Sequence, residues 1–272
     1  MIYNKEKSIE FLVMLDVSFV VLLAISSSIS GFLSTLVYNF AFIIPVLVGF
    51  YMTRGDNKNE DFLKSSGVRP SLPFIAPTIL VVMIISFITS SIISALTNKS
   101  NVADLGDHVV LAIITHAVVP AIFEEALFRL IPLRAMKGES WPKIIVYSAL
   151  FFSLIHHSFF SMPYAFIAGA VFMLLDLACD SVLPSVIIHF LNNAISVLFI
   201  FYGESLPFFV STISVIVALS IVSMIYIVRN IGKYEIIKEK LKDIGDIKST
   251  PPREILILAV PMLILAVTEL IQ

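Results

Sequence analysis

Long runs of hydrophobic residues alternate with short polar segments along the whole chain. Runs of about 17 to 25 residues are long enough to cross the roughly 30 Å hydrocarbon core of a bilayer as helices. The pattern therefore predicts an all-α polytopic membrane protein of eight or nine transmembrane helices. The predicted spans are residues 9–30, 32–52, 73–96, 108–134, 142–158, 163–180, 182–201, 206–228 and 254–271.

Two predicted connections, residues 53–72 and 229–253, are long enough to be polar loops, but neither requires a domain of its own. We therefore expect one integral membrane domain over residues 1–272, in which 254–271 is an accessory span. Asp16 interrupts a long first hydrophobic run that follows the basic stretch "NKEK". This arrangement favours an uncleaved anchor over a cleaved signal peptide.

The composition agrees with a membrane protein and excludes several other classes. Hydrophobic residues make up 58% of the chain and charged residues 14%, and the mean hydropathy is +0.98. This is too little polar surface for a soluble globule of 272 residues. The net charge of −2 gives no reason to expect a nucleic-acid partner. The single cysteine, Cys179, excludes an internal disulfide and any multi-cysteine metal site.

The basic residues predict the orientation of the chain in the membrane. If the N-terminus is cytoplasmic, 16 of the 18 lysines and arginines fall on the cytoplasmic side of the predicted spans. Cytoplasmic loops carry an excess of lysine and arginine. The distribution therefore indicates a multi-pass protein with a cytoplasmic N-terminus, in the plasma membrane if the cell is prokaryotic, and a lipid bilayer as its partner.

The fourth span contains "FEEALFR", which places three charges inside a membrane helix. Glu125 and Arg129 are four residues apart with the acid first, so they share a helix face and can form an ion pair. Glu124 lies about 100° around the helix and has no such partner in its own span. A charged residue at this depth costs at least ~2.5–3.5 kcal/mol, so Glu124 is expected to face a cavity inside the protein.

Two further spans carry polar side chains at the same four-residue spacing. Phe152 and His156 share a face of the fifth span, and His189 and Asn193 share a face of the seventh. From the cytoplasmic ends, the depths are about 15 Å for Glu124, about 18 to 21 Å for His156 and about 10 Å for His189. One intramembrane catalytic cavity built from these three helices is therefore predicted.

The remaining intramembrane polar residues are interpreted as structural. His116 is expected to pack or to line the pore two turns before the acidic pair, and His108 to lie at the outer interface. His157 points away from the face of its neighbour and is assigned a structural role. Asp16 and Asp176 are expected to support helix packing.

The predicted cluster suits hydrolysis of an amide bond. A carboxylate such as Glu124 beside the His156 imidazole can deprotonate water, and His189 and Asn193 can donate hydrogen bonds to an oxyanion. The alternative is that the glutamate and both histidines hold zinc, although the H-E-x-x-H pattern is missing. The metal-free mechanism, which needs no cofactor, is preferred. The sequence also lacks the serine and aspartyl motifs of other intramembrane proteases.

Three motifs in this order resemble those of the CAAX prenyl protease 2 and bacteriocin-processing (ABI or CPBP) family of intramembrane proteases. "EEALFR", "FSLIH" and "HFLNN" match E-E-x-x-x-R, F-x-x-x-H and H-x-x-x-N within a motif core of about residues 108–201. The resemblance implies a helical fold of about eight spans with a conical cavity. It also implies water activation by Glu124 and His156, an oxyanion hole of His189 and Asn193, and supporting roles for Glu125, Arg129 and Phe152.

The resemblance implies an intramembrane endopeptidase acting on a membrane-associated protein, with the C-terminal tripeptide of a prenylated C-a-a-X protein as one substrate. Two other classes stay open. A non-catalytic scaffold or bacteriocin-immunity protein fits the same motifs. A proton-coupled transporter would also bury glutamate and histidine, but the sequence lacks the paired, broken spans typical of such folds.

Overall fold

The computed structural model of the protein describes residues 32–53, 68–97, 108–136, 139–156, 161–203 and 205–234, with Leu63 and scattered positions between residues 12 and 29. All regular structure in these residues is helical. The helices are α1 (Phe32–Thr53), α2 (Val68–Thr97), α3 (Val109–Ala135), α4 (Trp141–Leu154), α5 (Ser161–Cys179), α6 (Leu183–Tyr202) and α7 (Leu206–Arg229).

These seven helices coincide with seven of the nine predicted spans. Within the described residues, α2, α3, α5, α6 and α7 are long and apolar enough to cross a membrane, and α4 is a shorter apolar helix of 14 residues. The predicted spans 9–30 and 254–271 lie largely or entirely outside the described residues. The chain is an integral membrane protein, while the count of eight or nine spans stays a prediction.

Proline marks the first turn of three of these helices. Pro142, Pro184 and Pro207 each occupy the second residue of α4, α6 and α7. A proline is tolerated there because the amide hydrogens of the first helical turn have no intrahelical acceptor, and its fixed φ angle already suits a helix. The short connections before α4, α6 and α7 therefore end where the sequence supplies these prolines.

The described chain forms two compact units. Unit I contains the described residues up to 62 and those from 122 to 173, and unit II contains those from 63 to 121 and from 174 onward. The first half of α3 belongs to unit II and its second half to unit I. The single integral domain predicted over residues 1–272 stays a prediction.

Unit I packs around the second half of α3. Helices α1 and α4 both contact this part of α3. Gly49 on α1 allows close approach, since a Cβ atom there would lie 2.5 Å from Cδ1 of Ile131. The ring centroid of Phe19 lies 4.5 Å from that of Phe42 and 5.9 Å from that of Phe128. These buried rings give α3 a rigid apolar support on its α1 side.

Unit II is built on α2, which packs against both α6 and α7. Helix α6 also contacts the first half of α3. The outer surfaces of α2 and α7 expose large apolar side chains, for example Phe87 at 70% and Val222 at 64%. Such extensive apolar exposure is typical of surfaces that face lipid rather than water.

A buried aspartate organises the tight corner between α5 and α6. The Ser185 hydroxyl donates to Oδ2 of Asp176 at 2.6 Å, and the Ser185 amide donates to Oδ1 at 3.1 Å. Asp180 in this corner has a φ of 49°, a conformation that aspartate adopts more readily than most residues. The carboxylate therefore caps the start of α6, in agreement with the structural role predicted for Asp176.

Helix α3 contains two π-helical turns, Ile114–Val118 and Ala126–Leu130. Each turn ends two residues before a proline, Pro120 in the first case and Pro132 in the second. A proline inside a helix has no amide hydrogen for the carbonyl four residues earlier, and its ring crowds that carbonyl. A wider turn before the proline relieves this crowding, and both π-turns of α3 have that position.

Candidate active site

The charged motif of α3 lies at the start of the second π-turn and is fully enclosed by protein. Glu125 and Arg129 are both 0% exposed, and Glu124 is 7% exposed. Arg129 Nε lies 3.2 Å from Glu125 Oε2, so the ion pair predicted from their spacing is confirmed. The buried Glu125 carboxylate is therefore paired with a cation one turn later on the same helix.

Aromatic rings support the Arg129 guanidinium. Its central carbon lies 4.1 Å from the ring centroid of Phe152 on α4 and 5.5 Å from that of Phe172 on α5. Among the described residues, no hydrogen bond of good geometry reaches the three guanidinium nitrogens. The arginine is therefore held by charge and by ring faces. This contact joins the first predicted motif to the second, because Phe152 opens F-x-x-x-H.

His156 is fixed by the same phenylalanine. Its Nδ1 lies 2.8 Å from the Phe152 carbonyl oxygen, and its ring packs edge-on against the Phe152 ring with centroids 4.9 Å apart. A carbonyl oxygen only accepts hydrogen bonds, so Nδ1 carries the hydrogen of the neutral ring. Nε2 is then the basic nitrogen of a half-buried imidazole.

A glycine of α5 lets this cluster form. A Cβ atom on Gly169 would lie 3.1 Å from the Ala149 Cα, 3.2 Å from Phe152 Cδ1 and 3.5 Å from Arg129 Nη2. Any larger side chain would push against a backbone atom and against the ring that carries the guanidinium. Gly169 therefore belongs to the structural support of the motif residues, although it lies in none of the three motifs.

Pro120 and Pro132 remove the helical donors of two carbonyls, those of His116 and Phe128. Each of these carbonyls accepts a hydrogen bond from a side chain of another helix. The Ser148 hydroxyl on α4 donates to the Phe128 carbonyl at 2.6 Å, in a buried setting. The Asn193 amide on α6 donates to the His116 carbonyl at 3.2 Å, in a more exposed setting. Both contacts satisfy a backbone acceptor that the helix itself leaves open.

The third motif lies on α6, in unit II. His189 is buried with 6% exposure, and Asn193, one turn later, is partly exposed. The neighbouring Asn192 donates from its amide nitrogen to Asn193 Oδ1 at 3.3 Å. Glu124 and His156 belong to unit I, so the convergence of the three motifs on one cavity stays a prediction.

The other polar residues singled out in the sequence occupy different settings. His108 is exposed and immediately precedes α3. His116 exposes its ring, while its carbonyl accepts from α6. Cys179, the single cysteine of the chain, is half-buried at the end of α5. Asp16 and His157 lie outside the described residues.

Zinc would need several ligating side chains at one point. Within the part of the chain that the structure describes, no group of three or more histidine, cysteine, aspartate or glutamate side chains is arranged to hold a metal ion. The zinc alternative built on Glu124, His156 and His189 would join residues of unit I to a residue of unit II, and it stays a prediction.

Four supporting residues lie outside the predicted site, which are Ser148, Gly169, Pro120 and Phe172. The sequence contains a sign of the two carbonyls that lack a helical donor, because Pro120 and Pro132 lie four residues after His116 and Phe128. Nothing in the sequence identified their donors. Gly169 and Phe172 become visible only through the packing of α5 against the motif residues.

Comparison with known proteins bears on the same segment. The family model described as Rce1-like, type II CAAX prenyl endopeptidase, matches residues 106–195. No curated protein matches the chain, and no solved structure does. The matched residues include all three motifs and nearly all of the predicted core 108–201. Residues 106–195 are therefore similar to the Rce1-like family of type II CAAX prenyl endopeptidases, and the resemblance predicted from the motifs is confirmed over this segment.

Proposed function

We propose that the protein is an intramembrane endopeptidase that hydrolyses a peptide bond of a membrane-associated protein, with Glu124 and His156 activating the attacking water. The observation that carries the proposal is the contact between Arg129 and Phe152, 4.1 Å from guanidinium carbon to ring centroid. It joins the acidic motif to the histidine motif inside a buried cluster, in a segment that matches a family of endopeptidases.

The arrangement of His156 supports its role as a base. With its Nδ1 hydrogen directed to the Phe152 carbonyl, the ring presents Nε2 as the nitrogen that can accept a proton. The edge-on contact with the Phe152 ring limits rotation of the imidazole. A general base that is oriented in this way before substrate binds needs little reorganisation during the reaction.

The two neighbouring acids, Glu124 and Glu125, have different proposed roles. Glu125 is engaged by Arg129 and supports the structure, whereas Glu124 is assigned to water activation together with His156. In the proposed reaction, these two side chains take a proton as the water oxygen attacks the carbonyl carbon of the scissile bond. The same proton then passes to the leaving amide nitrogen as the carbon–nitrogen bond breaks.

The third motif supplies the stabilisation of negative charge. We assign the oxyanion of the tetrahedral intermediate to hydrogen bonds from His189 and Asn193. Support comes from the order of the three motifs within the matched segment, and from an Asn193 amide whose hydrogen-bond contacts define its orientation.

The substrate is proposed from the family. Its members are described as CAAX prenyl endopeptidases, so a prenylated C-terminal C-a-a-X sequence is the first substrate to test. Such a substrate is anchored in the bilayer by its lipid, which suits an enzyme that is itself an integral membrane protein. We infer a cytoplasmic N-terminus and, in a prokaryotic cell, a plasma membrane location from the distribution of basic residues.

Cleavage of peptides by the purified protein tests the proposal. Glu124→Gln and His156→Ala should each lower kcat by about 10²- to 10⁴-fold in detergent, while the melting temperature changes little. Glu139→Gln is the matched control, because Glu139 is an acid near the end of α3 that pairs with Lys143 at the surface. Full activity in either motif variant would remove the assignment.

The same assay separates the competing functions. Libraries of prenylated and unprenylated peptides should yield a defined cleavage product, whereas a scaffold or immunity protein would leave both libraries intact. A proton-coupled transporter would also leave them intact and would move protons in vesicles. Elemental analysis of active, chelator-washed protein addresses the metal question, and stoichiometric zinc would overturn the metal-free mechanism.

A further inference from the structure

The amide of Asn193 is oriented by contacts at both of its ends. Its nitrogen donates to the His116 carbonyl at 3.2 Å, and its oxygen accepts from the Asn192 amide at 3.3 Å. An amide group that rotated by 180° would bring nitrogen towards nitrogen and oxygen towards oxygen, so only one orientation satisfies both contacts. The direction of each Asn193 hydrogen is therefore defined by α3 and by its own neighbour.

The acceptor on α3 exists because of a proline. In a continuous α-helix, the His116 carbonyl would accept from the amide of residue 120, but Pro120 has no amide hydrogen. The π-turn Ile114–Val118 places the Val119 amide on the Ile114 carbonyl, so that amide is already used. The His116 carbonyl thus lacks its α-helical donor, and Asn193 of α6 donates to it instead.

We propose that the carbonyl released by Pro120 orients Asn193, so that one amide hydrogen is bound to α3 and the second is presented for use at the reaction site. Pro120 and Asn192 are positioning residues in this arrangement, since both act through Asn193. The use of the second hydrogen for an oxyanion rests on the proposed function, whereas the orientation of the amide does not.

The corresponding hydrogen bond in the second half of α3, from Ser148 to the Phe128 carbonyl, is an example of a purely structural donor. A serine hydroxyl has a single hydrogen, and Ser148 donates it to the Phe128 carbonyl. Ser148 therefore has no second hydrogen to donate to a ligand. An asparagine amide has two hydrogens, and the His116 carbonyl takes one of them. Helix α3 therefore carries two proline-released carbonyls, of which only the one in unit II is bound by a side chain with a remaining donor.

A double-mutant cycle between Pro120 and Asn193 tests the orientation without any assay of activity. Asn193→Ala should lower the melting temperature by about 2–4 °C, the effect of losing roughly one hydrogen bond in a protein of this size. In a Pro120→Ala background the loss should be smaller, because the new amide hydrogen of residue 120 can reach the His116 carbonyl. Strictly additive shifts would overturn the proposal.

Isotope-edited infrared spectroscopy reports on the carbonyl itself. In protein labelled with carbonyl-¹³C histidine, Asn193→Ala should move one band to higher frequency, and Pro120→Ala combined with it should move that band back. Ser148→Ala is the matched control and should leave the histidine bands in place. If Asn193→Ala does not fold, Asn193→Leu keeps the volume without the donor. A band that does not respond to either change would contradict the proposal.

Kinetics then separate this inference from the proposed function. Asn193→Ala should lower kcat by about 10²- to 10³-fold, as for loss of an oxyanion donor. Pro120→Ala should lower kcat by about tenfold at unchanged KM, because the donor is present but poorly oriented. If the His116 carbonyl responds to Asn193 and Pro120 as expected but the protein cleaves no peptide, the proposed function alone is refuted. Wild-type kcat in Pro120→Ala, with Glu124→Gln inactive, would refute the inference alone.

Discussion

The two halves of α3 follow one local rule and reach different results. Each contains a π-turn that ends two residues before a proline, and each leaves one carbonyl open to a side chain of another helix. In the second half, the Ser148 contact is buried and 2.6 Å long, and it lies beside a buried ion pair. In the first half, the Asn193 contact is 3.2 Å long and more exposed.

The difference shows that the consequence of a carbonyl without a helical donor depends on how deeply that carbonyl is buried. In the buried half, unpaired polar groups are costly, and the deprived carbonyl, the ion pair and the aromatic rings form one support. In the exposed half, the penalty for an unmade hydrogen bond is smaller, and a side chain with two donors is compatible with the site. We therefore expect substitutions in the second half to affect stability most.

The largest expected effect comes from breaking the buried ion pair. Arg129→Ala removes the cation that pairs with the buried Glu125 carboxylate and that lies against the faces of Phe152 and Phe172. The free energy of unfolding should fall by about 3–5 kcal/mol, measured by denaturant titration in detergent. A loss below 1 kcal/mol would show that the buried half is not held by this charge.

The next effect compares the two proline-released carbonyls directly. Ser148→Ala leaves the buried Phe128 carbonyl without its donor and should lower the free energy of unfolding by about 1–3 kcal/mol. Asn193→Ala, measured in the same titration, should cost less because its acceptor is more exposed. Pro132→Ala should restore part of the loss in Ser148→Ala. Equal losses at the two positions would remove the distinction between the halves.

A smaller effect is expected from filling the close approach between α5 and the motif residues. Gly169→Ala brings a Cβ atom to within 3.1 Å of the Ala149 Cα and 3.2 Å of Phe152 Cδ1. Overpacking of this kind costs about 1–3 kcal/mol, and the higher helix propensity of alanine offsets up to about 1 kcal/mol. A net loss of about 1 kcal/mol in the same titration is expected.

Gly232→Ala is the control for that substitution, because a Cβ atom there meets nothing within 4 Å. Its free energy of unfolding should stay within about 0.5 kcal/mol of the wild-type value. If Gly169→Ala were as neutral as Gly232→Ala, the Arg129 and Phe152 cluster would not depend on the contact with α5.

The smallest effect should come from an ion pair with the same spacing at the surface. Glu139 and Lys143 are 2.8 Å apart, with side chains 34% and 19% exposed. Glu139→Gln should change the free energy of unfolding by no more than about 0.5 kcal/mol, since water and salt screen such a pair. Differential scanning fluorimetry at low and high salt would detect a larger contribution and weaken the contrast with Glu125 and Arg129.

The length of the hydrophobic runs predicted most of the described helices, because a membrane-spanning helix must be apolar over its whole length. Helices α6 and α7 begin within one residue of the predicted spans. The pairing of Glu125 with Arg129 was also predictable, since residues four apart on a helix share a face. Local spacing sufficed in each of these cases.

The supporting residues of the motif cluster could not be predicted in this way. Ser148 on α4 is twenty residues from its acceptor, and Gly169 and Phe172 on α5 contact a cluster formed by α3 and α4. A small residue and an aromatic ring are ordinary in any membrane helix. Their importance arises from which helix faces meet, and single-sequence patterns carry little information on that.

The sequence by itself determined that the chain is a helical membrane protein, that it carries three ordered family motifs, and that Glu125 and Arg129 share a helix face. Only the tertiary structure decided that Phe152 supports Arg129, that Ser148 and Asn193 replace the missing donors, and that Asp176 caps α6. The physical reason is the distance along the chain over which each interaction acts. Helix formation and proline geometry act within a few residues, whereas burial and hydrogen bonding between helices depend on the packing of distant segments.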